Sequence, residues 1–301
     1  MKKLISLLAA AMLIPALAAC SGGQDADTSK DADTKTTPAV QSDWEQVKEK
    51  GVLTVGVTNY PPMNYLDDNG NWTGFDTEFT TAVAEELGID VTFVEISWEA
   101  KETELASRNI DCLWNGMCIT PDREQAWEIT TPYMYNTQAM VMKADREAEI
   151  MADVSGKNVV SEAGSTGEEK VTGVMNDADD PTVEVIAKDY FANSNYTGVS
   201  NMAAALMEIE TGVSDIAVVD SVIAEGMINS EGSQLKDLVI NLDNKFGDQW
   251  FGAAFRKGSD ICPMVNEAIQ KLIDNGKLME IAGKYGLTDS VQKALDHNAA
   301  N

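Results

Sequence analysis

The chain reads as an α/β protein of two lobes, each a parallel-rich sheet flanked by helices, joined by a hinge of two chain segments. Three observations predict this. Short apolar runs alternate with helical patterns from about Val52 onward, the alternation is played twice, and one run in each half delivers polar residues at its carboxyl end. Strand and helix taking turns build parallel sheets covered by helices. Open parallel sheets take their ligands at the carboxyl ends of the strands.

The elements follow in order. Lys2 and Lys3, the apolar run Leu4 to Leu17 and the small residues Ala18-Ala19 form a secretory signal layout over residues 1–19, too short for a dependable membrane span. Leu17-Ala18-Ala19-Cys20 resembles the bacterial lipobox. That resemblance implies cleavage before Cys20 and a lipid on its thiol, the alternative being an ordinary signal with an incidental cysteine. Residues 20–42 are Asp, Thr, Ser, Lys and Ala with almost no large apolar side chain, the composition of a disordered tether. No later stretch is apolar enough to span a membrane, so the lipid on Cys20 is the expected anchor and the expected location is extracytoplasmic.

In the first half Val52 to Val57 is a strand. After the Pro61-Pro62 loop, Phe75, Phe79, Val83 and Leu87 recur at helical spacing, with Asp76 as the expected N-cap and Gly88 as the stop. Val91 to Ile96 is a strand, Lys101 to Arg108 a helix, and Ile110 to Trp114 a strand running into Asn115-Gly116. In the second half Lys157 to Ser161 is a strand, followed by the loop Ala163 to Gly167 and a helix from about Glu168. Val183 to Ile186 is a strand, Ser200 caps a helix stopped at Gly212, and Ile216 to Val219 runs into Asp220-Ser221. The remainder, with a strand at Gly252 to Phe255 and two helices, is too short for a third lobe and returns to complete the first. The expected division is 43–143 with 247–290 for lobe 1, 148–241 for lobe 2, crossings near 143–148 and 241–247, and a polar tail at 291–301.

The net charge is −27, and about −29 without residues 1–19. A surface this acidic repels nucleic acid and anionic headgroups, which excludes both as partners. Cys112, Cys118 and Cys262 remain after Cys20, and an odd number in an exported chain leaves at least one thiol unpaired. Cys112 and Cys262 read as core residues. With one histidine, His297, and no CxxC pair, no metal site and no cofactor is expected.

Thr120-Pro121-Asp122-Arg123 carries the most local chemistry. Threonine as N-cap and proline at the first helical position start a helix. Its free N–H groups favour an anion, and the Arg123 guanidinium is a fork suited to a carboxylate. A surface arginine paired with Asp122 or Glu124 is the alternative.

At this point the chain resembles the amino-acid-binding proteins of ABC importers, solute-binding protein family 3. The matching pieces run in order from Val52 to Leu287. They are Leu53-Thr54-Val55-Gly56-Val57, Asn69-Gly70 to Gly74-Phe75-Asp76, Asn109-Ile110-Asp111, Asn115 to Arg123, Thr131-Pro132-Tyr133, Ala163 to Gly167, and Asp215 to Asp220. The resemblance implies a type II periplasmic-binding fold that closes about its hinge on a free amino acid. It implies that Arg123 binds the α-carboxylate, helped by groups at Gly116, Cys118 and Thr166, and that Asp220 accepts from the α-ammonium. Tyr60 and Trp98 would surround the side chain, with Asn115 and Ser165 completing the set. A polar ligand such as glutamine or cystine suits these residues, with a basic one as the alternative. The implied partners are the permease subunits of an ABC importer, and the family habit is monomeric.

Three positions depart from the family pattern. Cys118 stands where serine or threonine is usual, Thr58-Asn59 where an acidic residue often precedes the first aromatic, and Glu162 where side-chain selectivity often lies. Glu162 also reads as a solvated loop acid, and Tyr60 and Trp98 as core aromatics. A few family relatives are periplasmic dehydratases, so an enzyme using Glu162, Asp220 or Cys118 is the alternative from another class. Against it, no Walker A, GxGxxG or HExxH motif is present and no catalytic histidine pairing is visible. A sensor docking on a membrane receptor would share the same binding chemistry.

Overall fold

The computed structural model describes residues 42–173, 190–243 and 246–301, within a compact unit that begins at Gln41. The expected signal peptide, Cys20, most of the expected tether and the strand expected at Val183 to Ile186 lie outside the described residues.

The first lobe is built on the strand Val52–Val57. It pairs in parallel with Asp90–Glu95 on one side and Cys112–Leu113 on the other. Ala254–Arg256 returns antiparallel beside Cys112–Leu113 and carries Trp127–Ile129 at the sheet edge. Leu53, Val55 and Val57 are fully buried, and Phe75, Phe79 and Val83 of the helix Phe75–Leu87 join them in one core with Val265 and Ile269 of Ile261–Asp274. Each such side chain, taken fully out of water, contributes about 1.5–3 kcal/mol.

The second lobe repeats the same plan. Asn158–Glu162 pairs in parallel with Asn195–Val199 and with Ile216–Asp220. Gln138–Lys143 lies antiparallel to Ile216–Asp220, and Leu238–Asn241 closes the edge antiparallel to it. The helices Thr166–Thr172, Met202–Thr211 and Ser221–Asn229 cover the sheet. Each sheet thus joins three parallel strands to two more through antiparallel pairings, so that one strand runs against the other four. The α/β, two-lobed, parallel-rich reading holds.

The expected division needs correcting. Residues 138–143 form a buried strand of the second sheet, whereas they were assigned to lobe 1. The chain crosses at Met134–Asn136, which pairs antiparallel with Gln249–Phe251 on the return, and these two short strands are the hinge. An antiparallel strand entered directly from a crossing leaves no strand–helix alternation to read. The expected polar tail is also wrong. Thr288–Ala300 is a helix that buries Val291 and Ala294 and packs Leu295 on the core, an apolar stripe at i, i+3 and i+4. It lies against the first hinge strand, with His297 stacked 4.0 Å from the Trp250 ring.

Candidate functional site

From lobe 1 the short strand Cys112–Leu113 delivers a loop at Asn115-Gly116. Gly116 has a φ of 55°, and a Cβ there would fall 2.4 Å from a carbon of the Tyr60 ring. Only glycine fits such a backbone without strain. Its N–H donates to Asp76 Oδ2 at 2.6 Å, and the same oxygen accepts from Tyr133 Oη at 3.0 Å. The Gly116 N–H is therefore committed, and of the groups at Gly116 expected to help hold a carboxylate the carbonyl is left to offer. Asp76 itself is no helix cap. Helix Phe75–Leu87 starts after Gly74, where a Cβ would meet the Met63 carbonyl at 2.3 Å, and Asp76 turns inward. Burial outweighs its two hydrogen bonds and pushes its carboxyl up to about 7.

Asn115 uses its side chain within the lobe. It accepts from Thr58 N–H at 2.9 Å and Asn64 Nδ2 at 3.0 Å, and donates to Thr58 Oγ1 at 2.8 Å. Thr58, at the position departing from the family pattern, thus anchors the loop. Arg123 follows the expected start, with Thr120 capping and Pro121 first in the helix Pro121–Ala126. It is 7% exposed, donates from Nη1 to the Cys118 carbonyl at 2.8 Å, and lies 3.9 Å from Glu169 of lobe 2. The alternative of a surface arginine paired with Asp122 or Glu124 is excluded.

Lobe 2 supplies the facing wall. Ser165 caps the helix Thr166–Thr172 by accepting from Glu168 N–H, and Thr166 Oγ1 accepts from Gln138 Nε2 at 2.9 Å. Asp220 ends its strand 1% exposed. It accepts from Tyr60 Oη at 2.7 Å, from Asn136 Nδ2 at 2.7 Å and from Gln138 Nε2, with Cys118 Sγ 3.7 Å away. Burial raises its carboxyl above the ordinary range, against these donors and the Arg123 charge. Burial and Asp220 together drive the Tyr60 hydroxyl and the Cys118 thiol strongly upward.

All nine expected residues line one small cavity, joined by Glu162 and Met202. Arg123 from one lobe and Asp220 from the other face the same space. The reading of Glu162 as a solvated loop acid is wrong, since it is 4% exposed at the end of its strand. Trp98 is buried at the cavity wall, and the Lys101 ammonium sits 5.3 Å from its ring centroid. Lys101 Nζ also donates to the Gly164 carbonyl across the lobes at 2.9 Å, and burial with Arg123 nearby lowers its pKa to about 8.

Sequence reasoning missed Asp76, Lys101, Asn136, Gln138 and Gln249. Gln138 and Gln249 contact one another at 2.9 Å, and both are buried polar residues in or beside the hinge strands. A polar side chain at the start of the apolar run Ala139 to Met142 was the signal available for Gln138. Among the described residues no cluster of His, Cys, Asp and Glu could hold a metal, and no helix is long and apolar enough to cross a membrane.

The chain is similar to the L-cystine-binding protein TcyA of Bacillus subtilis, 30% identical over 292 residues that cover 95% of this chain and 97% of the relative. It is 27% identical to the arginine-binding extracellular protein ArtP of the same organism, over 95% of this chain and 98% of that one. Among solved structures, an ABC uptake transporter substrate-binding protein from Streptococcus pneumoniae with bound histidine superposes with a TM-score of 0.71. It is 27% identical and covers 81% of this chain and 96% of its own. An ancestral amino-acid-binding protein described as a precursor of cyclohexadienyl dehydratase gives 0.68 at 26% identity, over 81% and 99% of the two chains. The named relatives are binding proteins, which places the chain with binders rather than enzymes. Residues 53–288 match the bacterial extracellular solute-binding proteins, family 3, and the chain belongs to that family.

Proposed function

We propose that this protein captures a free amino acid with a polar side chain, such as glutamine or cystine, between its lobes and hands it to the permease subunits of an ABC importer. The observation that carries the reading is the pairing of Arg123 and Asp220 on opposite walls of one cavity. A zwitterion needs one cationic and one anionic partner, and these are held on parts that can separate. Arg123 receives the α-carboxylate with the N–H groups that begin the helix Thr166–Thr172, while Asp220 and the Gly116 carbonyl accept from the α-ammonium. Tyr60 and Trp98 border the side chain, Cys118 and Ser165 fill the wall, and the backbone at Asn115 shapes the loop. Ligand favours the closed form because contacts from both lobes exist only there. Cys20 carries the lipid that keeps the protein, as a monomer, at the outer face of the cell membrane. The cystine and arginine named for the Bacillus subtilis relatives support an amino acid as cargo.

Calorimetry against the free amino acids, cystine included, tests the proposal. Wild-type protein should bind at least one near micromolar affinity, about −8 kcal/mol, and Arg123→Ala should bind none. Equal affinity in Arg123→Ala would reject the site.

A further inference from the structure

Lys101 has no part in the ligand contacts above, yet it is 6% exposed and reaches from one lobe to the other. It begins the helix Lys101–Ala106 of lobe 1, and its ammonium lies over the Trp98 ring. An aromatic face attracts a cation from one side and leaves N–H groups for a partner beyond. That partner is the Gly164 carbonyl of lobe 2, at 2.9 Å. The lobes touch at this point, since a Cβ on Gly164 would come within 3.1 Å of both Glu99 Cα and Lys101 Nζ.

The carbonyl belongs to a turn fixed within lobe 2. Ser165 N–H donates to the Glu162 carbonyl at 3.2 Å, and Gly164 N–H donates to Glu168 Oε2 at 2.6 Å. Ser165 and Thr166, both on the cavity wall, follow at once. A hold on Gly164 is therefore a hold on that wall. Charge supports the contact: lobe 2 brings Glu162 and Glu169 toward the ammonium, and Glu102 of lobe 1 adds to them against Arg123. Burial lowers the Lys101 pKa to about 8, which still leaves the ammonium protonated at pH 7.

We infer that Lys101 is a positioning residue of the closed form, latching the Gly164 turn to lobe 1 and so slowing release of the bound amino acid. This deepens the proposed function and rests on it. A bond made only once the lobes meet belongs to release rather than capture.

The test follows a labelled amino acid leaving the purified protein at pH 7 during a chase with unlabelled amino acid. The probe is L-cystine, or the free amino acid that calorimetry ranks above it. Lys101→Met should speed release about tenfold, with association within about twofold of wild type. Its melting temperature without amino acid should be nearly unchanged. Lys101→Arg keeps a charged donor and should release within about threefold of wild type. Gly164→Ala breaks the same contact from lobe 2 and should speed release by itself, so the test stands even if Lys101→Met fails to fold. Combined, the two changes should speed release no more than the stronger one alone. Unchanged release, slowed capture instead, additive effects, or equal loss of melting temperature with and without amino acid would overturn the inference. Wild-type protein that binds no amino acid would overturn the proposed function, a result distinct from binding whose release ignores Lys101.

Discussion

In the first lobe the loop that reaches the cleft is held from beneath by its own lobe. Gly116 hangs on Asp76, Asn115 on Thr58 and Asn64, and Arg123 on the Cys118 carbonyl. In the second lobe the same position in an equivalent sheet carries Asp220, whose donors come from three places: Tyr60 from the first lobe, Asn136 from the hinge and Gln138 from the neighbouring strand of its own sheet. Two sheets with one pattern of parallel and antiparallel pairings therefore do different work. One presents a preformed cradle, and the other presents an acid whose surroundings are complete only when the lobes meet.

Four substitutions probe that difference, the largest effect first. Asp220→Asn removes the anionic half of the zwitterion site and should weaken amino-acid binding about 100-fold or more in calorimetry. A loss under tenfold would mean that the second lobe contributes shape rather than charge. Gly116→Ala drives a methyl into the Tyr60 ring from a left-handed backbone. It should cost about 1–3 kcal/mol of stability in denaturant titration, together with most of the binding. Wild-type stability would show that the cradle gives way more easily than its geometry indicates.

Gly226 of the helix Ser221–Asn229 offers a gentler probe. A Cβ there would lie 2.5 Å from the Pro62 ring of the other lobe, well away from Arg123 and Asp220. Gly226→Ala should hold the lobes slightly apart and weaken apparent affinity by about 3–10-fold, because fewer molecules reach the competent form. Melting temperature should be nearly unchanged, and unaltered affinity would count against closure as part of binding. The smallest effect is a pH dependence. Asp76 is raised from the ordinary 3.8 to about 7, so its contribution to stability is complete below 3.8 and fades as pH climbs through about 7. Asp76→Asn should therefore gain melting temperature relative to wild type across that window, measured by scanning at several pH values. A constant difference would mean the carboxyl is not held protonated by its burial.

Much of the molecule was legible because its signals are local. Thr120-Pro121 starts a helix by rules that need no tertiary partner, and that start located Arg123. The run Ile216 to Val219 ending in an acid located Asp220 by the geometry of parallel sheets alone. The misses share a different origin. Gln138–Lys143 enters its sheet antiparallel straight from the hinge, so its neighbours in space are far apart in sequence. Asp76 has the residue type and position of a helix cap, and only the closeness of Gly74 to the Met63 carbonyl turns it into the support beneath Gly116. The helix Thr288–Ala300 was hidden by its polar exterior, since Val291, Ala294 and Leu295 are few apolar residues in a long polar stretch.

The sulfur chemistry has a consequence outside ligand capture. Cys112, Cys118 and Cys262 are unpaired and buried, and each is shifted against ionisation, first by desolvation and then by a nearby Asp or Glu. Exchange with a disulfide proceeds through the thiolate. A family that works outside the cytoplasm meets oxidants continually, and here burial disfavours the thiolate that such exchange requires. Were the cargo a disulfide, Cys118 could border it without attacking it, and the molecule would leave the cleft with its sulfur–sulfur bond intact.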